Sequence, residues 1–498
     1  MSSNEPLNTA AALARTVGSL HRPAMTTIAH ARRALLPPAL LLSAWRPAPA
    51  QSPAAVAPVT FAVVGGTLVD AASPGPRRIA DAVVVVRGAR IACAGTRIQC
   101  PVPRGARVID ARGAFVAPGI IDAHVHFSQT GWVDGRPDAL DARREFPYDS
   151  TVAELRAHPE VFGRAQLCAG VTSVFDVGGF PWTIPMAHAT SERTDMPRVV
   201  AAGPLLSTID HWLNLPDMRQ FVHMSSDSVV RAAVREQRYM GASAVKVWYI
   251  AQADTALARR GRAMLGAAGD EAKRVGLPLL VHATDLAEAK EALAAGAKVL
   301  VHSVDNAELD DDFVRLARAN HTIVIPTLTV LEGYADVLLG RDVAARYPLD
   351  CVDAATRAKL ARRLPANERI TTYFAGPVPK RERATMEANL RRLLRDGIPI
   401  AMGTDAGNPG TAHGPSVYRE LEALQSAGMS AAAVFGAATL NGAIAMGIDR
   451  DAGTLEAGKR ADLVVLQADP TVDAAHWRQP RVVVRNGRAY RREELLPR

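Results

Sequence analysis

Two histidines stand one residue apart in an otherwise apolar stretch, PGIIDAHVHF, at residues 118–127. In an extended strand the side chains alternate between two faces, so Asp122, His124 and His126 share one face and the apolar residues between them share the other. A single histidine in such a strand is most often a core residue that hydrogen-bonds to backbone. A pair at i, i+2 beside an acid instead favours a metal site, and the remaining ligands must then come from elsewhere in the chain.

Four further residues with metal-binding or acid–base chemistry lie late in later apolar runs. They are Lys246 in ASAVKVWYI, His282 in PLLVHA, His302 in KVLVHS and Asp405 in PIAMGTD. Taken alone, each has an ordinary structural explanation, such as a core histidine, a helix N-cap aspartate or a lysine whose amine reaches solvent. Because all four fall near the ends of predicted strands, we expect their side chains to meet at one end of a parallel sheet.

Lys246 is the most informative of these residues, because only seven of the 58 Lys and Arg residues in this chain are lysine. Its neighbours Val245 and Val247 predict burial, and desolvation lowers the pKa of an ammonium group. A neutral amine reacts with carbon dioxide to form a carbamate, whose two oxygens can bridge two metal ions, whereas arginine stays protonated. The alternative is a salt bridge between Lys246 and an acid.

The elements that position these residues predict an α/β architecture. Residues 118–440 alternate short apolar runs with amphipathic segments, a pattern typical of parallel strands covered by helices. Eight such repeats predict a (β/α)8 TIM-type barrel, with a largely helical insertion at about 331–390 that could cover the site. The alternative is an open doubly wound sheet, but no glycine-rich phosphate-binding sequence follows any of the strands.

The two flanks of this region predict a second, smaller domain. Residues 51–117 and 441–498 are rich in β-branched residues and turn signals, which favours short antiparallel strands. Asn486-Gly487 is typical of a tight hairpin turn. We expect the two flanks to fold together into one small β-sandwich domain.

Residues 1–50 have the features of a signal or leader segment. Arg32-Arg33 precedes an apolar run at 34–45, and Ala48-Pro49-Ala50 fits a cleavage site for an exported protein. The apolar run is too short for a permanent membrane span. We therefore expect an exported, periplasmic protein, and a disordered tail that stays attached is the alternative.

The composition of the 498 residues, 48% of them hydrophobic, indicates a globular protein. The net charge is +8, but residues 1–50 carry +4 of it, so the charge of the remaining chain is modest for its size. No block of Lys and Arg interleaves with aromatic residues, so we expect no nucleic-acid partner. Export implies an oxidising compartment, where cysteines pair. Cys93 and Cys100 are close enough in the sequence to pair, whereas we expect Cys168 and Cys351 to be buried thiols.

The ordered set of His-x-His, lysine, histidine, histidine and aspartate on successive strands resembles the amidohydrolase superfamily of metal-dependent hydrolases. The segments GIIDAHVHF, GTDAG and GTLEAGKRADLVVL are close to the usual wording of that superfamily. ASAVKVW, VLVHSVD, PTLTV and the pair His413-Gly414 are similar to its imidazolonepropionase-related and Xaa-Pro dipeptidase-like branch. The resemblance covers about residues 60–490.

The resemblance implies two divalent metal ions, for which zinc suits the histidine and oxygen ligands best. A hydroxide and carbamylated Lys246 would bridge the two ions, and Asp405 would also be the catalytic residue that accepts a proton and passes it to the leaving amine. The implied ligands of the more buried and the more exposed ion are, respectively, His124, His126 and Asp405, and His282 and His302.

The function implied is a binuclear metal-dependent hydrolase that cleaves an amide-type C–N bond, as in a Xaa-Pro dipeptide, an N-acyl amino acid or a related small amide. The residues that we expect to contact such a substrate are Tyr249 and His413. One alternative is a mononuclear deaminase or cyclic-amide hydrolase, in which Lys246 is only structural. Another alternative is a non-catalytic metal-binding protein. The sequence leaves open whether the protein forms a homo-oligomer.

Overall fold

The computed structural model describes residues 59–71, 77–250, 252–364, 377–478 and 480–497. The predicted leader at residues 1–50 lies outside these ranges. None of the helices in the described part of the chain has the length and hydrophobicity needed to cross a membrane. The strands are β1 Val59–Asp70, β2 Arg77–Arg87, β3 Arg90–Gly95, β4 Arg107–Asp110, β5 Phe115–Pro118, β6 Ile120–Val125, β7 Val171–Asp176, β8 Arg198–Ala201, β9 Leu205–Ser207, β10 Phe221–His223, β11 Val245–Trp248, β12 Leu279–His282, β13 Val299–Val301, β14 Ile323–Ile325, β15 Leu463–Leu466, β16 Val482–Arg485 and β17 Arg488–Arg491.

Helices separate most of the parallel strands, as the amphipathic segments predict. The α-helices of the described residues are α1 Tyr148–Ala157, α2 Glu160–Cys168, α3 Thr183–Thr190, α4 Asp227–Met240, α5 Thr255–Val275, α6 Leu286–Ala294, α7 Asp311–Asn320, α8 Val330–Leu338, α9 Ala354–Leu360, α10 Pro377–Arg395, α11 Ser416–Ser426, α12 Ala431–Ala437 and α13 Leu440–Ala445. Short 3-10 helices lie at Val343–Ala345, Ala474–Trp477 and Arg492–Glu494.

The central region contains two parallel sheets. One has the order β6-β7-β8 and the other β10-β9-β11-β12-β13-β14. Apolar side chains of both sheets and of α13 belong to one core cluster. Residues of this core are Ile121, Phe175, Val200, Leu280, Val301, Ile325, Ala445 and Met446.

Two of the predicted strands differ from the structure. The apolar run RVVAAGPLL at 198–206 has the pattern of a single strand of the predicted barrel, but it divides around Pro204 into β8 and β9, which belong to different sheets. PIAMGTD does not form a regular strand and is joined to its neighbours by isolated parallel bridges, Val324 to Ile400 and Val125 to Ala406. The physical reasons are the hydrogen bonds of Thr404 to Asp122, the close packing of Gly403 on His124 and the left-handed backbone of Asp405, with φ of +62°, at the end of the segment.

Strands from both ends of the described chain meet in one eight-stranded sheet of order β17-β16-β15-β5-β1-β2-β3, with β4 paired to β1. Asn486 and Gly487, with φ of +49° and +78°, form the turn between β16 and β17, which confirms the predicted hairpin. Separate apolar clusters cover parts of this sheet, one around Phe61 and Val84 and one around Val83. That the sheet forms a sandwich stays a prediction.

The described part of the predicted insertion, 331–364 and 377–390, contains helices and packs on the loop that follows β6. Trp132 of that loop lies in one apolar cluster with Tyr347 of the insertion. An ion pair of 2.6 Å between Lys359 and Asp134 adds to this contact. The insertion therefore lies over the loop that begins at the His-x-His pair.

Both pairs of cysteines are disulfide-bonded. Cys93 pairs with Cys100, in line with their spacing. Cys168 and Cys351 are buried as expected, but they form a disulfide across 183 residues, so the prediction of free thiols was wrong. The end of α2 and the insertion meet only through the tertiary fold, which sequence spacing does not reveal.

Candidate metal centre

The predicted ligands lie at the carboxyl ends of the parallel strands. His124 is the fifth residue of the six in β6, Lys246 lies in β11, and His282 ends β12. His302 directly follows β13, and Asp405 lies beside the bridge that joins Ala406 to β6. Because the strands are parallel, these ends meet on one side of the molecule.

His124, His126 and Asp405 converge on a common point. The Nε2 atoms of the two histidines are 3.3 Å apart. They lie 3.2 Å and 3.1 Å, respectively, from Oδ1 of Asp405. The three side chains are almost completely buried.

The chemistry of these atoms fits a cation. His126 Nδ1 donates a hydrogen bond to the carbonyl oxygen of Gly178 at 2.6 Å, so in a neutral imidazole its Nε2 presents a lone pair to Asp405. Asp405 Oδ1 is buried and accepts no hydrogen bond from the described residues, although both imidazoles approach it. Lone pairs that face one another at about 3 Å repel unless a cation or a proton lies between them, so this donor set suits a metal ion.

His302 extends the cluster. His124, His302 and Asp405 present ligand atoms that all lie within 4.8 Å of one another. The ring centroids of His282 and His302 are 4.5 Å apart, and those of His124 and His302 are 5.0 Å apart. The structure therefore brings the four predicted histidine ligands and Asp405 into one contiguous group.

Burial and neighbouring charges shift the pKa values of several residues of this cluster. Burial lowers the pKa of Lys246 to about 7 despite the opposing charge of Asp405. Burial, together with the charge of Lys246, lowers the pKa of His282 to about 3. Burial also lowers the pKa of His124 to about 4. For Asp405 burial acts in the opposite direction, but the nearby His124 and His126 outweigh it and hold the pKa well below its usual range. Such shifts are typical of functional sites.

Lys246 lies within this group of side chains. It is 2% exposed, and within the described residues its Nζ forms no hydrogen bond or ion pair. The charge of Lys246 acts on His124, His282 and His302, which places its amine among the candidate ligands. A buried ammonium without a partner is costly, so the location favours a neutral or a modified amine.

Backbone in the left-handed region holds several site residues. His302, Thr327 and Asp405 have φ of +74°, +46° and +62°. Thr327 Oγ1 lies 2.7 Å from Nδ1 of His302, which leaves Nε2 of that ring as the atom for a metal ion. Strained conformations of this kind persist where the surrounding contacts enforce them, and they cluster at functional sites.

The two predicted substrate contacts do not lie among the metal ligands. Tyr249 donates a hydrogen bond from its hydroxyl to Glu291 of α6, and its ring packs near Gly261 of α5. Side chains alternate along an extended strand, so at the end of β11 Lys246 and Trp248 share one face while Tyr249 points to the helices. His413 is buried, donates from Nε2 to the carbonyl of Gln129 at 3.1 Å and stacks on Phe162, with ring centroids 4.3 Å apart. That Tyr249 and His413 contact the substrate stays a prediction.

Sequence reasoning missed Arg136, which lies ten residues after His126. The charge of Asp405 acts on its guanidinium, which also binds Asp138 at 2.8 Å and 2.9 Å. No periodicity or motif marks this residue, because an irregular loop carries it. Trp248, in contrast, follows from its place two residues after Lys246, and its ring centroid is 6.2 Å from that of His282.

Comparisons with known proteins agree with this geometry. The model of the Amidohydrolase family matches residues 115–489. An imidazolonepropionase from Aromatoleum aromaticum is 26% identical over 415 residues, which cover 80% of this chain and 88% of that protein. The structure of a Xaa-Pro dipeptidase with methionine bound in its active site has a TM-score of 0.64 at 22% identity, covering 86% of this chain and 99% of the other.

A second solved structure, that of molinate hydrolase, has a TM-score of 0.64 at 22% identity and covers 88% of this chain and 95% of its own. These structural likenesses indicate a TIM-like α/β fold. The family match includes β5, β15 and β16 of the eight-stranded sheet and every residue of the candidate metal centre. The chain therefore belongs to the amidohydrolase family and is a hydrolase that acts on carbon–nitrogen bonds.

Proposed function

We propose that this protein is a binuclear metal-dependent hydrolase that cleaves an amide-type C–N bond in a small substrate. The observation that carries the proposal is the convergence of His124, His126 and Asp405 beside His302, with Lys246 buried and unpartnered among them. Three imidazoles, a carboxylate and an amine with no structural partner form an expensive cluster for a purely structural role.

Zinc ions fit this donor set best, and manganese or cobalt would also suit it. When bound, a divalent metal ion polarises the substrate carbonyl and lowers the pKa of a water molecule. The residues that would hold the more buried and the more exposed ion are, respectively, His124, His126 and Asp405, and His282 and His302.

Lys246 would contribute to both ions as a carbamate. The lone pair of its neutral amine forms a bond to the carbon of carbon dioxide while one C–O π bond breaks and its electrons move to oxygen, and the nitrogen then releases one proton to water. The product is an anion with two oxygens on a long stem, and the metal ions replace the counter-charge that the buried group lacks. Burial favours this step, because it disfavours the competing ammonium form.

Asp405 would move the proton of the reaction. Its Oδ1 faces the imidazoles of His124 and His126 and would bind the metal ion, so Oδ2 is the oxygen that would take a proton from the attacking water. The leaving nitrogen needs a proton when the C–N bond breaks, and Asp405 would return it there. The near-complete burial of Asp405 excludes bulk water as a competing acid.

The loops above the cluster favour a substrate with an anionic group and an apolar body. Arg136 is positioned by Asp138 and faces the charge of Asp405, so its guanidinium suits a substrate carboxylate. His211 and Trp248, with ring centroids 5.3 Å apart, provide an aromatic wall nearby. A Xaa-Pro dipeptide, an N-acyl amino acid or a related amide combines the two features.

The disulfides support an exported location. Both cysteine pairs are oxidised, and structural disulfides persist mainly outside the reducing cytosol. We therefore keep the proposal that residues 1–50 direct export to the periplasm, and cell fractionation with sequencing of the mature N-terminus tests it.

The experiment that tests the function is hydrolysis of a substrate panel by the zinc-loaded protein. Xaa-Pro dipeptides, N-acyl amino acids, cyclic amides and amino-heterocycles are supplied in parallel, and product amine or ammonia is measured. Release of amine from the first two classes supports the proposal. Ammonia release from the amino-heterocycles alone supports a mononuclear deaminase, and an inactive metal-loaded protein supports a non-catalytic role.

A further inference from the structure

A cavity of about 520 Å³ lies at the end of the parallel strands opposite the metal centre. Arg198 begins β8, Lys298 directly precedes β13, and His321 lies two residues before β14. The segment 444–448, at the end of α13, forms another wall. The volume is within the range of ligand pockets, and no residue of the metal centre lines it.

The walls of this cavity are mainly apolar. The interiors of proteins are close-packed, and the amino-terminal half of a TIM-like core is normally filled by its own side chains. Here the core is filled as well, and the cavity is a depression at its surface, where the large side chain of Ile444 at the rim is 46% exposed. Apolar residues that line the space are Val200, Val299, Ile323, Met446 and Ile448.

The titratable side chains that line the cavity are all basic. Among the described residues that line it, none is acidic, while Arg198 and Lys298 are cations. Lys298 Nζ donates one hydrogen bond to the carbonyl of Asn320 at 2.8 Å, and an ammonium group has two further hydrogens to donate. An anion at this position would meet attraction from both residues.

The guanidinium of Arg198 is the main observation that favours an anion in this cavity. Its Nη1 atom is buried and has no hydrogen-bond partner within the described part of the chain. The nearest carboxylate oxygen, on Asp451, is 3.6 Å away, and Asp451 also accepts a hydrogen bond from Arg90 at 3.0 Å. Burial also lowers the pKa of Arg198, which reports the same loss of solvation. A desolvated guanidinium of this kind gains from an incoming oxyanion.

We propose that this cavity binds a small amphipathic carboxylate, whose head group pairs with Arg198 and Lys298 and whose aliphatic or aromatic body lies between Val200, Ile323 and Ile444. The site is separate from the metal centre and does not depend on the proposed reaction. Its occupant covers apolar surface and gives Arg198, whose ion pair with Asp451 is long at 3.6 Å, a closer oxyanion, so binding stabilises the folded protein.

The test is calorimetric titration of the metal-loaded full chain with octanoate, 1-octanol and acetate. We expect octanoate to bind saturably with one site per chain, and more tightly than either octanol, which lacks the charge, or acetate, which lacks the apolar body. Octanoate could also bind a metal ion, so the titration is repeated on protein stripped of metal with a chelator. Binding that survives stripping supports the cavity, and binding that disappears with the metal overturns the proposal.

Two substitutions locate the site. Arg198→Gln is expected to weaken octanoate binding about tenfold or more, the value of one charge-assisted hydrogen bond. Arg90→Gln is the matched control, because Arg90 also pairs with Asp451 but does not line the cavity, and it should change the affinity by less than about twofold. Ala445→Leu, which fills the cavity, should also weaken binding.

Several results overturn the proposal. These are the absence of saturable octanoate binding, octanol binding as tight as that of octanoate, and equal effects of Arg198→Gln and Arg90→Gln. If Arg198→Gln does not fold, Lys298→Gln replaces it, because Lys298 is exposed and its substitution leaves the core intact. An unchanged affinity in Lys298→Gln and in Ala445→Leu likewise contradicts the assignment.

Discussion

The carboxylate of Asp122 accepts hydrogen bonds from both the hydroxyl and the amide of Thr404, at 2.6 Å and 2.9 Å. Asp122 lies two residues before His124, and Thr404 directly precedes Asp405. A single buried pair therefore links candidate ligands that lie almost 300 residues apart in the chain. Hydrogen bonds between residues that neighbour the ligands orient the groups that bind a metal ion.

Thr404→Val is expected to lower the free energy of unfolding by about 1–2 kcal/mol and to weaken metal retention, because it removes the hydroxyl that donates to the buried Asp122. Urea unfolding of the metal-free protein and elemental analysis after dialysis measure the two effects. Thr404→Ser keeps the hydroxyl and is the control. Equal behaviour of the valine and serine variants would show that the pair does not position Asp405.

The side chains of Trp248 and Tyr249 point to opposite sides at the end of β11, so substitutions at these two positions should affect the kinetics differently. Trp248 lies near His282, so Trp248→Leu is expected to raise KM for the best substrate of the panel by about tenfold. Tyr249→Phe removes only a hydroxyl that binds Glu291, so we expect KM to stay within about twofold of the wild type. Steady-state kinetics on both variants checks this, and the opposite order would support Tyr249, and not Trp248, as a substrate contact.

The sequence predicts much of the central fold, because hydrophobic runs with both faces buried have a recognisable pattern. It also predicts the metal cluster, since His282 and His302 end such runs. The irregular segment before Asp405 escapes prediction, because its conformation depends on Asp122 and on close packing. A Cβ atom at Gly403 would come within 2.7 Å of the Cβ of His124, a contact that no local pattern reveals.

The same limit applies to contacts between distant segments. Arg136 and Asn408 meet through a hydrogen bond across 272 residues, and each lies in a loop without periodicity. Buried cysteines look alike in sequence whether they are free or paired. The pairing of Cys168 with Cys351 becomes visible only when the insertion is folded against α2.

The Cys168–Cys351 disulfide is expected to stabilise the fold more than Cys93–Cys100 does. It joins residues separated by 183 positions, against 7 for the other pair, and loop-closure models predict a larger effect for the longer loop. Replacing Cys168 and Cys351 by serine should cost about 2–4 kcal/mol in denaturant unfolding.

The matched control is the double serine variant of Cys93 and Cys100, for which a smaller loss is expected. Thiol counting on the unfolded, non-reduced protein should find no free thiol. Two reactive thiols there, together with an unchanged stability of the Cys168 and Cys351 double variant, would contradict the assigned pairing.

The buried carboxyl group of Glu420 should make the free energy of unfolding depend on pH. Burial raises its pKa from 4.5 to about 7, although Leu328 and Thr329 donate hydrogen bonds to it. Between these two values the folded protein keeps a proton that the unfolded chain has released. The free energy of unfolding therefore falls as the pH rises through this window, by an amount on the order of a few kcal/mol.

Glu420→Gln should remove this component from urea unfolding curves recorded between pH 5 and 8 on metal-free protein. Glu422→Gln is the control on the same helix, because Glu422 pairs with Arg478 nearer the surface. If Glu420→Gln and the wild type lose stability with the same slope, Glu420 is not the group responsible.

The central proposal is that Lys246, as a carbamate, would help to hold two metal ions, and the metal content of the wild type and of Lys246→Ala tests it most directly. Elemental analysis after loading with zinc and bicarbonate should find two ions per wild-type chain and at most one in Lys246→Ala, with a loss of activity of several orders of magnitude. Lys246→Arg, which keeps the charge but cannot form a carbamate, should behave like the alanine variant. One ion in the wild type, or two ions and full activity in Lys246→Ala, would contradict the account.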